Sequence, residues 1–334
     1  MAEIVYLHVG PHKTGTTALQ RAFAENVSHL AGYGIHYPMS GRDDDAHHAL
    51  ARAVSEGDTG LVADVASEIA GEDKVLISSE LFAALPVPAL TCLRDTLDCA
   101  EVVAVYLLRP LPPLVVSHWK EMVKHGLPDT AEVYFSRELG GDPTGYSTLP
   151  SPFNQLTRLA QAFGSANMSI GRYSDLELGE GFGRAFLERH LDVSVRIGAF
   201  TTPMKNFTPT DAMVAVLGLM NQRARNVLDA SQRRILTERV LARLQHDPPD
   251  WMQDFERSLS EGEVLVLSES TPWIAREQAK VIGAFKDVLG RAAEEYQVPA
   301  TSQVCLADRD ALEARFGALL DGFFSALVQS SLEA

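Results

Sequence analysis

The first half of the chain alternates short apolar runs, rich in β-branched residues, with segments whose apolar residues recur at helical spacing. The runs predict strands at residues 4–9, 74–78, 102–108 and 168–172, and a weaker one at 35–37. Each main run is almost continuously apolar, as is typical of parallel strands that are covered by helices on both faces. This alternation is the pattern of βαβ units, and it predicts an α/β fold with a central parallel sheet flanked by helices in three layers.

The helical spacing predicts helices between these strands, at residues 16–30, 46–55, 61–70 and 114–124. After Pro209 the chain is predicted to be mostly helical, with apolar stripes at residues 212–219, 235–244, 274–289 and 312–328. Glycine and proline accumulate in residues 125–152, which predicts a long irregular segment, either a lid or binding loop or simply a mobile stretch. We therefore expect an α/β core over residues 1–206 and a helical C-terminal extension or cap over residues 207–334, packed on the core.

The loop after the first predicted strand has the clearest functional pattern in the chain. It spans residues 10–17, reads GPHKTGTT, and precedes a helix predicted to begin near Thr16. Glycines let the backbone turn tightly, and successive N–H groups at a helix N-terminus form a concavity that suits a phosphate. A nucleotide triphosphatase loop has its lysine directly after the second glycine, where this chain has Thr16, whereas Lys13 precedes Gly15 by two residues. The spacing puts Lys13 on the rim of the cradle, beside the bond that would break at a 5′-phosphate. The alternative is a glycine-rich turn capped by threonine.

The G-x-x-K-x-G-T-T form of this loop resembles the 5′-phosphosulfate loop of the sulfotransferases that use 3′-phosphoadenosine 5′-phosphosulfate (PAPS). It is more similar to the bacterial and glycan-modifying branch than to the cytosolic steroid and phenol branch, in which proline directly precedes the lysine, because His12 intervenes here. The resemblance extends over residues 1–206 and implies a P-loop-like fold. It also implies that the 5′-phosphosulfate is bound by Lys13, Thr14, Gly15, Thr16 and Thr17.

Two further segments match the same family. Arg109 follows the third main strand, and Ser117 comes eight residues later on a predicted helix. An arginine at the carboxyl end of a parallel strand faces the ligand crevice, and a serine on the next helix can reach the same anion. The family binds the cofactor's 3′-phosphate with such a pair, so the resemblance implies this role for Arg109 and Ser117. Tyr173, in the segment GRYSDL, matches a tyrosine that lies near the adenine, and the alternative is a tyrosine packed at a strand end. The cytosolic enzymes' Arg-Lys-Gly stretch is absent, and Lys205 with Asn206 is only a weak substitute.

Sulfuryl transfer to an alcohol also needs a base for the hydroxyl proton. Glu80 ends the predicted strand and turn at residues 75–80, which puts it at the same crevice edge as Lys13. The glycan-modifying sulfotransferases carry a glutamate base at a comparable strand end, so the resemblance implies Glu80 as the base and Lys13 as the group that stabilises charge at the bridging oxygen. His12 and His118 are alternative bases. The alternative is that Glu80 is an N-cap or first-turn acid of a helix.

The overall charge restricts the partners. The chain has 29 Lys and Arg against 44 Asp and Glu, a formal charge of −15, which argues against nucleic acid or an anionic membrane as the main partner and favours a neutral or cationic acceptor. The three cysteines lack a C-x-x-C spacing, and His47 and His48 beside three acids fit a solvated helix start better than a metal site, so no metal is expected. Apolar stretches stay short of the roughly 18 residues that cross a bilayer, and no signal-peptide pattern is found, so a cytoplasmic location is expected.

These features predict a transferase: a PAPS-dependent sulfotransferase that moves a sulfuryl group to a hydroxyl of a carbohydrate, glycolipid or small metabolite. A small-molecule kinase that uses ATP and Mg²⁺ is the first alternative, although it requires a lysine after Gly15. A nucleotide-binding protein without catalysis is the second. The identity of the acceptor and the oligomeric state stay open.

Overall fold

The computed structural model of the chain describes residues 1–139, 149–175, 181–195, 209–296, 300–306 and 308–332. Two compact units are formed, and both combine segments that are distant in sequence. The first unit comprises Met1–Pro110, Ser151–Asn206 and Arg276–Val298, and the second comprises Leu111–Pro150, Phe207–Ala275 and Pro299–Ala334. The predicted boundary between residues 206 and 207 lies outside the described residues.

A five-stranded parallel sheet forms the centre of the first unit. Its strands are β1 (Ala2–His8), β2 (Ile35–His36), β3 (Lys74–Ser78), β4 (Cys99–Leu108) and β5 (Met168–Arg172), in the spatial order β2-β3-β1-β4-β5. In the register of the central strands, Leu7 of β1 pairs with Ile77 of β3 and Ala104 of β4, and all three side chains are fully buried. The predicted α/β fold with a central parallel sheet is therefore confirmed.

The helices of the described residues are, in chain order, α1 (Thr16–Glu25), α2 (Val27–Gly32), α3 (His48–Glu56), α4 (Thr59–Glu68), α5 (Val87–Thr96), α6 (Leu111–Lys124), α7 (Ala131–Leu139), α8 (Pro152–Phe163), α9 (Phe182–His190), α10 (Asp211–Ala224), α11 (Ala230–His246), α12 (Met252–Ser260), α13 (Pro272–Leu289) and α14 (Arg309–Leu332). Short 3₁₀ helices lie at Glu80–Ala84, Ser165–Asn167 and Gly290–Tyr296. Local chemistry sets several of the starts: Ser151 caps α8 before a proline, and Asp229 and Gln232 form a reciprocal capping box at α11.

Two predicted segments differ from the structure. The single helix expected over residues 16–30 is two helices, because Asn26 leaves the helical conformation between α1 and α2 and its side-chain amide donates to the Ala22 carbonyl at 2.7 Å. The irregular segment expected over residues 125–152 contains α7, whose apolar face buries Tyr134 and Phe135. Burial of that face outweighs the surrounding glycines and prolines. Residues 140–148 of the same segment lie outside the described residues.

The described residues after Pro209 are mostly helical, as predicted. The second unit contains α6, α7, α10, α11, α12 and α14. It also contains a two-stranded antiparallel sheet of β6 (Val264–Ser268) and β7 (Thr301–Cys305), which the sequence pattern did not indicate. Arg223 on α10 ties this helix to α14 through ion pairs with Glu313 and Asp321, each at 2.8 Å. Within the described residues, every helix is too short or too polar to cross a membrane.

Candidate functional site

Three central strands of the sheet end at one edge, and each is followed by a predicted site residue. The loop at residues 10–17 follows β1, Glu80 follows β3 after one residue, and Arg109 follows β4 directly. Since β1 pairs with both β3 and β4 in parallel, the carboxyl ends of the three strands lie side by side. This edge is where open α/β sheets bind ligands.

The loop at residues 10–17 is fixed by its own hydrogen bonds. The Gly10 carbonyl accepts from the Leu107 N–H of β4 at 2.9 Å. The Thr14 hydroxyl is fully buried and donates to the Pro11 carbonyl at 2.6 Å, so any contact of Thr14 with an anion would come from its main chain. Lys13 has φ of 69°, a left-handed conformation that costs a non-glycine residue free energy. The loop is therefore held in an unusual conformation at Lys13.

The end of this loop forms an uncapped helix start. Gly15 is the N-cap of α1 with φ of 73°, its position supplies no capping side chain, and the first turn carries no acidic residue. Thr16 is buried and Thr17 is exposed. The alternative of a turn capped by threonine is not observed, because the Thr14 hydroxyl is directed back to Pro11. The N–H groups of the first turn of α1, with the positive end of the helix dipole, are suited to an anion.

Both loop glycines sit where a side chain would collide with a neighbour. A Cβ at Gly10 would lie 2.8 Å from Cβ of Glu80, and one at Gly15 would lie 2.5 Å from the Phe182 ring. These two approaches bring α9 and the segment after β3 against the loop. Phe182 was not among the predicted site residues, because its position at the start of α9 becomes significant only when the chain is folded.

Arg109 contacts both the loop at residues 10–17 and Tyr173, another predicted site residue. Its Nη1 donates a hydrogen bond to the Lys13 carbonyl, and its guanidinium carbon lies 4.9 Å from the centre of the Tyr173 ring. Tyr173 follows β5, its N–H donates to the Leu108 carbonyl at 2.8 Å, and its ring packs edge-on against Phe182. The structure therefore brings Lys13, Gly15, Arg109 and Tyr173 together. Ser117 lies on α6, as predicted, and belongs to the second unit.

Glu80 lies beside the loop and has two partners. It is the first residue of the 3₁₀ helix Glu80–Ala84, which Ser79 caps, so a first-turn acid is also an accurate structural description. Its Oε2 accepts a hydrogen bond from Gln20 Nε2 at 2.8 Å, its Oε1 lies 3.7 Å from His12 Nδ1, and its side chain is 13% exposed. The two alternative bases Glu80 and His12 therefore form one pair.

Gln20 was missed in the sequence, although a signal exists. It is 3% exposed on the inner face of α1, between Leu19 and Ala22, and a polar side chain at such a position needs a partner. The third candidate base, His118, lies in the second unit and its Nδ1 is 2.9 Å from the Tyr134 hydroxyl.

Three buried histidines are hydrogen-bonded to residues of the central sheet. His8 Nδ1 pairs with the Ser78 hydroxyl at 2.8 Å, and His190 Nδ1 pairs with the Ser169 hydroxyl at 2.8 Å. His47 accepts the Ser78 N–H at Nδ1, so its Nε2 donates to the Pro38 carbonyl at 3.1 Å. Burial lowers the pKa of His8 and His47 to about 3 and that of His190 to about 4. These histidines are neutral parts of the core, and the described residues contain no group of three or more potential metal ligands.

The chemistry of this edge fits an anionic ligand. Two residues with cationic side chains, Lys13 and Arg109, lie at or beside the loop that leads to an uncapped helix start. A carboxylate, Glu80, with a neighbouring histidine, provides a proton acceptor a short distance away. The arrangement can hold a phosphate, stabilise negative charge that develops on it, and accept a proton nearby. No protein-family model matches the chain, and no curated protein is significantly similar to it.

Proposed function

We propose that the protein is a PAPS-dependent sulfotransferase that transfers a sulfuryl group to the hydroxyl of an acceptor. The observation that carries the proposal is the contact of Arg109 with the Lys13 carbonyl, which joins the loop at residues 10–17 to the end of β4. It brings together two of the three segments in which the sequence resembles the sulfotransferases. PAPS supplies the sulfuryl group, which it carries on its 5′-phosphate.

Residues of the loop hold the phosphosulfate in this proposal. Lys13 and the N–H groups at the start of α1 provide positive charge where negative charge grows on the leaving phosphate. Main-chain groups of Thr14 and Gly15 and the two following threonines complete the cradle. The charge is met by protein groups, so the proposed reaction requires no metal.

The nucleoside end of PAPS is assigned to two residues that directly follow neighbouring strands and to one residue of α6. Arg109 offers a guanidinium for the 3′-phosphate, with Ser117 as the second proposed ligand, and Tyr173 offers a ring on which the adenine can stack. In the structure the Arg109 guanidinium lies over the Tyr173 ring, at 4.9 Å. This stacking supports a shared role for the two residues.

Glu80 accepts the proton of the acceptor hydroxyl in this proposal. Its carboxylate is held by Gln20 on one oxygen and faces His12 on the other. The exposed side chain of His12, at 49%, could pass the proton to solvent. In this proposal Glu80 is the base and His12 is its partner, and His118 stays an alternative base.

A small-molecule kinase is the second candidate. The position of Glu80 beside Gly10 favours it, because a carboxylate near a phosphate loop can hold Mg²⁺ through water. Against it, the place of the kinase lysine is taken by Thr16, which is buried. A cytoplasmic location and a neutral or cationic acceptor stay predictions.

Thermal unfolding with two ligands separates the candidates. Adenosine 3′,5′-bisphosphate should raise the melting temperature, since a ligand at about 100 times its Kd adds about 2.7 kcal/mol to the native state. ATP with Mg²⁺ should raise it less. The Lys13→Ala and Arg109→Ala variants should lose the shift, whereas Lys286→Ala, at an exposed lysine, should keep it. A shift with ATP and Mg²⁺ alone would favour the kinase.

Transfer itself is tested with PAPS labelled in its sulfuryl group. Label should move to a member of a panel of hydroxylated acceptors, including sugars, phenols and aliphatic alcohols. Binding of the bisphosphate without loss of label from PAPS on any acceptor would favour a nucleotide-binding protein without catalysis.

A further inference from the structure

The second unit contains a recess that the proposed function does not use. It has about 470 Å³ of empty space, part of which is open to solvent. Side chains of α6 and α10 form its apolar wall, chiefly Val123, Val214 and Leu219. Concave sites with an apolar wall and a few polar groups are typical of sites for small molecules.

Two hydrogen-bond donors of this recess have no acceptor in the described part of the chain. Trp119 is 5% exposed, and its indole N–H is buried without a partner. Nη2 of Arg309 is also buried without a partner. Buried donors are nearly always satisfied in folded proteins, by protein, water or a ligand. Both donors therefore require an acceptor that the described residues do not provide.

The charges around the recess favour an anion. Its two acids are each neutralised: Asp129 pairs with Arg137 at 2.6 Å, and Asp211 pairs with Lys120 at 2.7 Å. Arg309, in contrast, forms no ion pair with any described residue. One guanidinium charge therefore remains at a wall that is otherwise apolar or paired.

We propose that this recess binds a small carboxylate with an apolar body. Its carboxylate oxygens accept hydrogen bonds from Arg309 and from the Trp119 indole, and its aryl or medium-length alkyl body lies against the apolar wall of α6 and α10. The planar guanidinium suits a carboxylate in particular, because its N–H groups match the two oxygens.

Binding of 4-phenylbutanoate to the full chain, measured by calorimetry, tests the charge requirement. The acid should bind saturably, and 4-phenylbutanamide and 4-phenylbutylamine, which keep the body and change the head, should bind at least about tenfold more weakly. Equal or tighter binding of the amine would overturn the proposal in favour of a cation site at Asp129 or Asp211. Absence of saturable binding by the acid would also overturn it and leave the donors to buried water.

Two variants test the donors, and a third serves as a control. Arg309→Gln and Trp119→Phe should each weaken binding of the acid, by at least about tenfold for the arginine and several-fold for the indole N–H. Arg234→Gln, at an exposed arginine of the same unit, should leave affinity unchanged. If Arg309→Gln is poorly folded, Arg309→Lys, which keeps the charge, should retain part of the affinity. Equal affinity of all variants would contradict the site.

The cysteines provide a readout that is independent of affinity. Cys305 lines the recess, and Cys92 is exposed elsewhere. Bound 4-phenylbutanoate should slow alkylation of Cys305, followed by peptide mass spectrometry, and leave that of Cys92 unchanged. Equal rates at Cys305 with and without the acid would place its binding outside the recess and overturn the proposal.

Discussion

The guanidinium of Arg109 donates a hydrogen bond to the carbonyl oxygen of Lys13, a residue 96 positions away in the sequence. Arg109 follows β4, and Lys13 lies in the loop after β1, so this bond links the ends of two adjacent strands. Because it is made to the main chain of Lys13, it constrains the loop without occupying the lysine's ammonium group.

Removal of Arg109 should therefore weaken both the fold and ligand binding. Arg109→Gln should lower the free energy of unfolding by about 1.5–3 kcal/mol, the value of a hydrogen bond that involves a charged group. Urea denaturation measures this. Arg21→Gln, at an exposed i, i+4 pair with Glu25, should change stability by less than about 0.5 kcal/mol. Equal effects of the two substitutions would mean that the bond to Lys13 contributes little.

Substitution of Lys13, unlike that of Arg109, should reduce activity without reducing the stability of the fold. Lys13→Gly and Lys13→Ala should both reduce turnover with PAPS by about 100-fold or more, since each removes the charge at the leaving oxygen. Lys13→Gly should at the same time unfold no more easily than the unmodified protein, because glycine adopts a φ of 69° without strain. Turnover and thermal unfolding measure the two effects. Normal turnover of Lys13→Ala would contradict the sulfotransferase proposal.

Gly15 should tolerate no side chain. Gly15→Ala combines a positive φ with a Cβ 2.5 Å from the Phe182 ring, whereas Gly57→Ala has a similar φ, 76° against 73°, and open space around it. Both should lose about 1 kcal/mol to backbone strain, and Gly15→Ala should lose a further 1–3 kcal/mol, approximately, to overpacking. Urea denaturation of the pair isolates the collision. The double variant Gly15→Ala with Phe182→Leu should recover part of it.

The pair of Glu80 and His12 predicts separable effects on rate and binding. Glu80→Gln keeps the size of the side chain and removes its basicity, so turnover should fall by about 100-fold or more while the affinity for adenosine 3′,5′-bisphosphate is kept. His12→Gln should reduce turnover less. Glu25→Gln, at an exposed acid of α1, is the control. A larger loss for His12→Gln than for Glu80→Gln would exchange the two roles.

Stability should fall in mild acid because of the buried histidines. His8, His47 and His190 have pKa values of about 3, 3 and 4 in the folded chain, below the ordinary value of 6.5. Below pH 6.5 the unfolded chain therefore binds more protons than the native one, and each histidine lowers the free energy of unfolding by up to about 1.4 kcal/mol per pH unit. The stabilisation that comes from keeping these histidines neutral is fully present only above the ordinary histidine pKa of 6.5.

Urea denaturation between about pH 7 and pH 5 measures how the free energy of unfolding depends on pH. This range avoids the titration of the Glu68 carboxylate, a second group that affects stability. The Glu68 carboxylate, whose pKa is lowered to about 2 by hydrogen bonds chiefly from Ser40 and Met39, begins to lose its stabilising effect only below its ordinary value of 4.5. His190→Gln should reduce the slope by one histidine's share, whereas His29→Gln, at an exposed histidine, should not change it. A slope independent of both substitutions would contradict the assignment.

The sheet was predictable from sequence because its strands are buried on both faces. The observed bounds of β3 and β5 equal the predicted residues 74–78 and 168–172. The hairpin of β6 and β7 was not predicted, since Val264 and Val266 are exposed, Leu267 alone of β6 is fully buried, and the partner strand follows only after α13. Such a strand depends on its pairing rather than on a local apolar run.

The individual residues of the candidate site could be predicted from the sequence, but the contacts between them could not. Spacing within residues 10–17 identified Lys13 and the helix start, because both belong to one continuous segment. The bonds of Glu80 to Gln20 and of Arg109 to Lys13 join segments 60 and 96 residues apart, and no local pattern encodes them. They follow from the strand order, which brings the ends of β3, β1 and β4 together.

That strand order arranges the proposed roles in a line. From β3 through β1 and β4 to β5, successive strand ends carry Glu80, the loop with Lys13, then Arg109, then Tyr173. The proposed base, Glu80, thus lies at one end of the row and the Tyr173 ring at the other. This is the order in which PAPS would present its sulfuryl group and its adenine. Substitutions at the carboxyl end of β3 should therefore change which acceptor is used. Substitutions at the carboxyl end of β5 should change which nucleotide is bound.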